Sequence, residues 1–168
     1  DWSSDVCSSD LSRIRKIDTL GVITTIAGTG SPGYSGDGGF AINALINHPG
    51  RMSIDKNNNI YFTDINNYRI RMITPSNIIT TVAGTGTNNH SGDGGIATLA
   101  NLAGPTGVDI DTLGNIYIAE YYGNRIRKIN STGIINTIAG NWNALSSGDG
   151  GLASNSEISG PEEISIDK

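Results

Sequence analysis

Ser35-Gly36-Asp37-Gly38-Gly39 returns as Ser91-Gly92-Asp93-Gly94-Gly95, and again as Ser147-Gly148-Asp149-Gly150-Gly151. The spacing is 56 residues both times, so an internal repeat governs the fold and is read before any single site. Outward from this stretch, three copies align without a gap from Arg13. The first spans 13–68 and the second 69–124. The third starts at Arg125 and runs to Lys168, ending where the first two continue with Asn-Ile-Tyr (59–61 and 115–117).

Each copy carries four short strand signals. In the second blade-length unit, counted from its innermost strand, these are 107–111, 115–119, 125–129 and 134–139, rich in Ile, Val and Tyr and joined by turns such as Leu113-Gly114-Asn115. Short period-two runs with two- to five-residue turns read as an antiparallel meander. Meanders at a fixed period read as a β-propeller with one sheet per blade. Ile134 to Ala139 is apolar at both parities, as expected for a sheet packed on both faces. SGDGG lies between the fourth strand and a proline (Pro49, Pro105, Pro161), hence on the return from one blade's outer edge to the next blade's inner strand. Residues 41–46, 97–102 and 153–158 within that return predict about one and a half helical turns.

Residues 1–11, DWSSDVCSSDL, match nothing in the repeats. They resemble the translation of a common short-read sequencing adapter, and such scars are excluded from fold reasoning. The only cysteine, Cys7, lies there. So do Asp1, Asp5 and Asp10, which leaves 13 acids against 11 bases and moves the net charge from -5 to -2. A body so weakly charged lacks the basic excess of a phosphate-binding surface, so no nucleic-acid partner is expected. No apolar run approaches 18 residues, so no membrane span is expected.

The pattern AGxG…SGDGGxA…P…VDxxGNIYIAE…NRIRKI resembles NHL repeats, in the long-loop form of bacterial NHL-repeat proteins and the teneurin NHL domain. The resemblance covers residues 13–168. It implies an all-β propeller, most often closed with six blades. Against that pattern the expected fold is a propeller fragment, an open arc of two full blades plus two partial ones. The expected divisions are an outer half-blade and connector (12–50), two blades with connectors (51–106 and 107–161), and the inner strand of the next blade (162–168). The resemblance also implies a secreted, periplasmic or cell-surface bacterial protein. Its function would be non-catalytic binding of a protein or carbohydrate partner. The alternative is part of a lactonase- or lyase-like propeller enzyme whose active site lies mostly in other blades.

The repeated residues read as structure. Asp37, Asp93 and Asp149 suit turn-bridging by accepting backbone N–H bonds. One carboxylate per loop, without D-x-D-x-D spacing, falls short of a calcium site. No Lys-Ser/Thr pair follows the glycines as in a phosphate loop. The arginines Arg13/Arg15, Arg69/Arg71 and Arg125/Arg127 are two apart and share a strand face. Asp64 and Glu120 are placed to pair with them as inter-blade ion pairs. His48 and His90 fall in different parts of the repeat, and no metal site, cofactor site or catalytic triad is predicted. Residues that break the repeat are better functional candidates, because the fold does not demand them. Tyr34, His90 and Trp142 are candidate partner-contact residues on the variable loops. Asp109, Glu162 and Glu163 are candidate channel-facing residues, whereas Asp55, Asp111 and Asp167 recur and read as turn chemistry. Open blade edges predict self-association.

Overall fold

The structure, a computed structural model, describes residues 12–167. The adapter-like segment 1–11 and Lys168 lie outside the described residues.

Among the described residues, ten strands form three sheets. β1 (Ile14–Ile17) and β2 (Ile23–Ala27) make a two-stranded sheet. β3 (Pro49–Ile54), β4 (Ile60–Asp64), β5 (Arg69–Ile73) and β6 (Ile79–Ala83) make a four-stranded meander. So do β7 (Pro105–Ile110), β8 (Ile116–Glu120), β9 (Arg125–Ile129) and β10 (Ile135–Ala139). Within the three sheets every strand pairs antiparallel with its chain neighbour. These are two full blades and the outer half of a third, as the 56-residue period predicts.

The turns follow from side-chain chemistry. Asp55 Oδ1 accepts the N–H groups of Asn57 and Asn59 at 2.8 and 2.9 Å, and Asp111 Oδ1 those of Leu113 and Asn115 at 3.0 and 2.8 Å. These bonds hold the chain reversal between β3 and β4 and between β7 and β8. The reversal needs a left-handed residue, supplied by Asn58 (φ 62) and Gly114 (φ 84). The turn reading of Asp55 and Asp111 is what the structure shows.

Residues 41–46 and their counterparts differ from the helical expectation. Each makes only a three-residue 3-10 turn, Ala41–Asn43, Ala97–Leu99 and Ala153–Asn155. The chain then turns extended at Ala44, Ala100 and Ser156. In the first two copies extension lets Thr29 and Thr85 N–H reach the Ala44 and Ala100 carbonyls. Residues 162–167 also form no strand, although Ile166 N–H reaches Asp109 on β7. In the earlier copies the ladder of this segment is made with the one that follows it.

SGDGG does more than connect. Gly38 N–H donates to the Ile79 carbonyl at 2.8 Å, Ile79 N–H to Gly39 at 3.0 Å, and Ala41 N–H to Asn77 at 2.7 Å. Gly94, Gly95 and Ala97 bond Ile135 and Gly133 in the same way. Each connector therefore lies along the outer strand of the following blade and covers an edge that would otherwise present unpaired backbone groups.

The apolar core is inter-blade. One cluster joins Ile14, Ala27, Ala41, Ala44 and Ile46 to Ile60, Phe62, Ile73 and Ile79. The next joins Ile70, Ala83, Ala97, Ala100 and Leu102 to Val108, Ile116, Ile118, Ile129 and Ile135. Each blade donates one face to either cluster, which is why the strands are apolar at both parities.

Gly84 tests how tightly this connection is held. Its φ is +95, and an added Cβ would overlap the Tyr68 carbonyl oxygen. Gly94 has φ +78 but faces open space. Gly84→Ala is expected to cost about 3 kcal/mol, and Gly94→Ala about 1 kcal/mol, the price of left-handed strain alone. Urea unfolding of the two variants checks the difference, and equal midpoints would refute it.

Candidate functional site

The strongest polar constellation is built from the two repeated motifs together. Arg71 on β5 is fully buried. Its Nη2 donates to Asp37 Oδ1 at 2.7 Å and to the Ser35 carbonyl at 2.9 Å. Its Nη1 donates to the Leu45 carbonyl at 3.1 Å and to Asp64 Oδ2 at 3.4 Å. One blade later Arg127 Nη2 meets Asp93 Oδ1 at 2.7 Å and the Ser91 carbonyl, while Nη1 meets Glu120 Oε1 at 3.0 Å. A planar guanidinium suits such a multi-acceptor cage. Each arginine thus ties the preceding connector to its own blade. The backbone prepares the site: a β-bulge between Ile70 and Arg71 puts Thr81 opposite Arg71, and Thr81 Oγ1 donates to Asp37 Oδ2 at 2.7 Å.

The expected backbone-bridging role of Asp37 and Asp93 is corrected here. Their carboxylates take an arginine guanidinium 34 residues ahead, because charge-assisted bonds to a buried cation are the stronger option. Asp64 and Glu120 do pair with Arg71 and Arg127, but within one blade, between neighbouring strands, and not between blades as expected. Asp149 is exposed and has no such partner among the described residues.

The carboxyls of one clamp are tuned apart. Burial pushes the Asp64 carboxyl up, and bonds from Asn67 and Asn47 and the charge of Arg71 offset only part of this. Burial likewise raises Glu120 against the pull of Arg127. Burial also works to raise Asp37, but the Thr81 hydroxyl and the Arg71 guanidinium outweigh it and hold the group below the ordinary aspartate range.

The outer arginines and variable loops form a layer over these clamps. Arg13 and Arg69 donate to the Thr29 and Thr85 carbonyls at 2.8 and 2.5 Å, lying so close over Gly30 and Gly86 that no Cβ fits there. The third copy has Trp142 at this position, still with φ 81, and Arg125 lies over its ring at 4.8 Å. Tyr34 stacks under Arg69 at 3.6 Å and donates its hydroxyl to Asp37 at 2.9 Å. At the matching position His90 accepts the Trp142 indole N–H at 2.6 Å, edge to face. The structure brings His90 and Trp142 together and keeps Tyr34 apart, one blade earlier.

The channel-facing candidates separate. Asp109 is buried on β7 and laces three successive inner segments: it accepts from Ser53 Oγ at 2.5 Å, its neighbour Ile110 N–H at 2.8 Å and Ile166 N–H at 2.8 Å. Glu163 is exposed and pairs with Arg51 at 3.0 Å across the intervening Gly107. Glu162 is exposed beside it. At this end of the inner strands stand two residues that the sequence reading missed, Tyr121 and Tyr122. They replace Ile65 and Asn66 of the first copy, so the criterion of repeat-breaking would have found them. Their rings meet edge to face, 5.2 Å apart. Tyr122 lies on Gly104 and Tyr121 on Gly160, where a Cβ would intrude. Both rings stay open to solvent, 39% and 62% exposed for Tyr121 and Tyr122. No group of three or more His, Cys, Asp or Glu side chains able to hold a metal occurs among the described residues, and no helix there is long and apolar enough to cross a membrane.

Residues 85–155 match the family model described as the teneurin NHL domain. The repeat is thus similar to the NHL repeat of that domain. Over 101 residues the chain is 38% identical to Teneurin-1 of Gallus gallus, covering 52% of this chain and 4% of that protein. The arc is similar to a solved Bacteroides thetaiotaomicron protein of unknown function, with TM-score 0.70 and 23% identity over 92% of this chain and 37% of the other. It is also similar to an auxiliary nutrient binding protein of that organism, with TM-score 0.66 and 18% identity over 94% and 38%. At these identities the likeness to the two structures is one of fold. The chain spans about 4% of the length of the curated relative.

His90 gives this layer a pH dependence. Burial, then the charges of Arg125 and Arg127, lower its pKa, with Asp93 opposing. The indole N–H also needs the free lone pair of Nε2. A histidine lowered on folding binds its proton more readily when unfolded, so stability is full above the ordinary imidazole range and is lost as pH falls through it. Melting temperature is expected to drop between pH 7.5 and 5.5, and the drop to shrink in His90→Gln. Equal slopes for the two proteins would refute the assignment.

Proposed function

We propose that this NHL arc is a binding scaffold without catalysis of its own. It presents the entry end of its inner strands to a protein or carbohydrate partner, on an extracellular, periplasmic or cell-surface bacterial protein. The observation that supports this reading is Tyr121 and Tyr122: two large rings, set on glycine beds and left exposed where the repeat does not require them. Rigid tyrosines offer apolar area at low entropy cost and a hydroxyl at the tip. Glu162 and the Arg51–Glu163 pair supply polar contacts at the same end. The buried arginines are committed to the clamps, whose role is to hold blades together. The loop residues Tyr34, His90 and Trp142 enter this proposal as a second, subordinate contact layer, since their polar groups already bond one another or the clamp.

The test is binding to a glycan array and to a panel of purified extracellular protein domains. Tyr121→Ala/Tyr122→Ala is expected to lose about tenfold or more in affinity for whatever the wild type retains, while Leu113→Ala, an exposed change at the far end of the blade, leaves it unchanged. Equal retention by both variants would refute the tyrosine platform.

A further inference from the structure

One guanidinium of the outer layer lacks the acceptors that its counterparts use. Arg13 and Arg69 turn back onto the Thr29 and Thr85 carbonyls, and Arg69 Nη1 also donates to the Asn67 carbonyl at 2.9 Å. That path is open to them because Gly30 and Gly86 carry no side chain. Arg125 holds the same position in the third copy, but Trp142 stands where the glycines stand. The indole fills the path, and the Arg125 guanidinium lies against its ring instead. The Arg125 Nε is buried without an acceptor, as in Arg69. Unlike those of Arg69, its Nη groups donate no hydrogen bond among the described residues either.

The nearby acids do not fill the gap. Asp93 and Glu120 attract Arg125 through space, but both carboxylates hold the Arg127 guanidinium. The ring beneath Arg125 is fixed from two sides: its N–H is on His90 Nε2, and the Trp142 carbonyl accepts from Asn124 Nδ2. His90 Nδ1, which carries the proton when Nε2 accepts, is a second buried donor without an acceptor. His90 comes from the loop after β6, Arg125 from β9 and Trp142 from the loop after β10. The arrangement therefore belongs to the junction of the two full blades. Beside it the loops expose the amides of Asn88, Asn89 and Asn143.

We propose that Arg125 and Trp142 form a binding site for an acidic sugar, a uronic acid residue of a glycan. A half-buried planar guanidinium with unfilled Nη groups selects a carboxylate, which it takes with two parallel bonds. The indole offers apolar surface to the C–H groups of the sugar ring. The amides, each able to donate and to accept, suit its hydroxyls. An acidic peptide side chain would engage the guanidinium and leave the amides unused, so the loop chemistry favours the sugar. None of these contacts involves the Tyr121–Tyr122 pair.

The test is a ligand-observed NMR titration of the full 168-residue chain with methyl glucuronide. Methyl glucoside, which lacks the carboxylate, and N-acetylaspartate amide, which lacks the ring, are titrated beside it. The uronide is expected to bind saturably and about tenfold or more tighter than either. Arg125→Gln is expected to bring the uronide down to the affinity of the glucoside. Trp142→Gly restores the residue of the other two copies and lets Arg125 turn onto the Asn141 carbonyl. It is expected to keep the wild-type circular dichroism spectrum and to lose uronide affinity about tenfold or more, while Leu113→Ala leaves that affinity unchanged. Absence of uronide binding, equal affinity for uronide and glucoside, or an aspartate derivative that binds as tightly as the uronide overturns the proposal. So does a folded Trp142→Gly chain with wild-type uronide affinity.

Discussion

A guanidinium with no access to solvent, bonded to a connector on one side and its own blade on the other, is the constraint on which the arc depends. Arg71 could not be buried without its acceptors, since an uncompensated buried charge costs several kcal/mol. Its acceptors come from three places: the SGDGG connector, the segment entering β3, and the end of β4. Once they converge, the connector is fixed over the outer edge of the blade and that edge is closed to further pairing. Apolar burial between blades supplies the bulk of the cohesion, but it is non-directional. The clamp supplies register. Its repetition at Arg127 with Asp93 and Glu120 shows that a change from Asp to Glu at the strand end is tolerated when the same guanidinium nitrogen is reached.

The repeated framework also explains what its exceptions are free to do. Gly30 and Gly86 let an arginine lie against the backbone; Trp142 fills that space and keeps the left-handed backbone of the glycine it replaces. The strain of that conformation is of order 1–3 kcal/mol, and the indole compensates through His90 and Arg125. Tyr121 and Tyr122 are the opposite case. They rest on glycine backbone and on each other and keep ring surface open to solvent, which is why they carry the proposed contact role.

The blade architecture was legible in the sequence because it is written several times over. A 56-residue period, prolines before the inner strands and apolar residues at both parities all pointed to one arrangement. The ion pairs of Asp64 and Glu120 were legible because they lie seven residues from their arginines along one hairpin. The partnership of Asp37 with Arg71 was not, since the two lie 34 residues apart, one in a connector and the other in a strand, and Gly-Asp-Gly taken alone looks like turn chemistry. The 3-10 turns were overread as helix because Ala-rich spacing signals helix locally, while the pull of Ala44 and Ala100 into the connector hydrogen bonds is a tertiary effect. Asp109 broke the repeat as a functional residue would, yet it is taken up in lacing three inner segments together.

The claim that the clamp couples connector to blade is tested most directly by a double-mutant cycle on Asp37 and Arg71. Asp37→Ala, Arg71→Met and the pair would be unfolded in urea beside the wild type. The account predicts a coupling free energy of about 2 kcal/mol, the scale of a charge-assisted bond with a buried partner. Additivity within about 0.5 kcal/mol would contradict it and leave the arrangement of the blades to apolar packing alone.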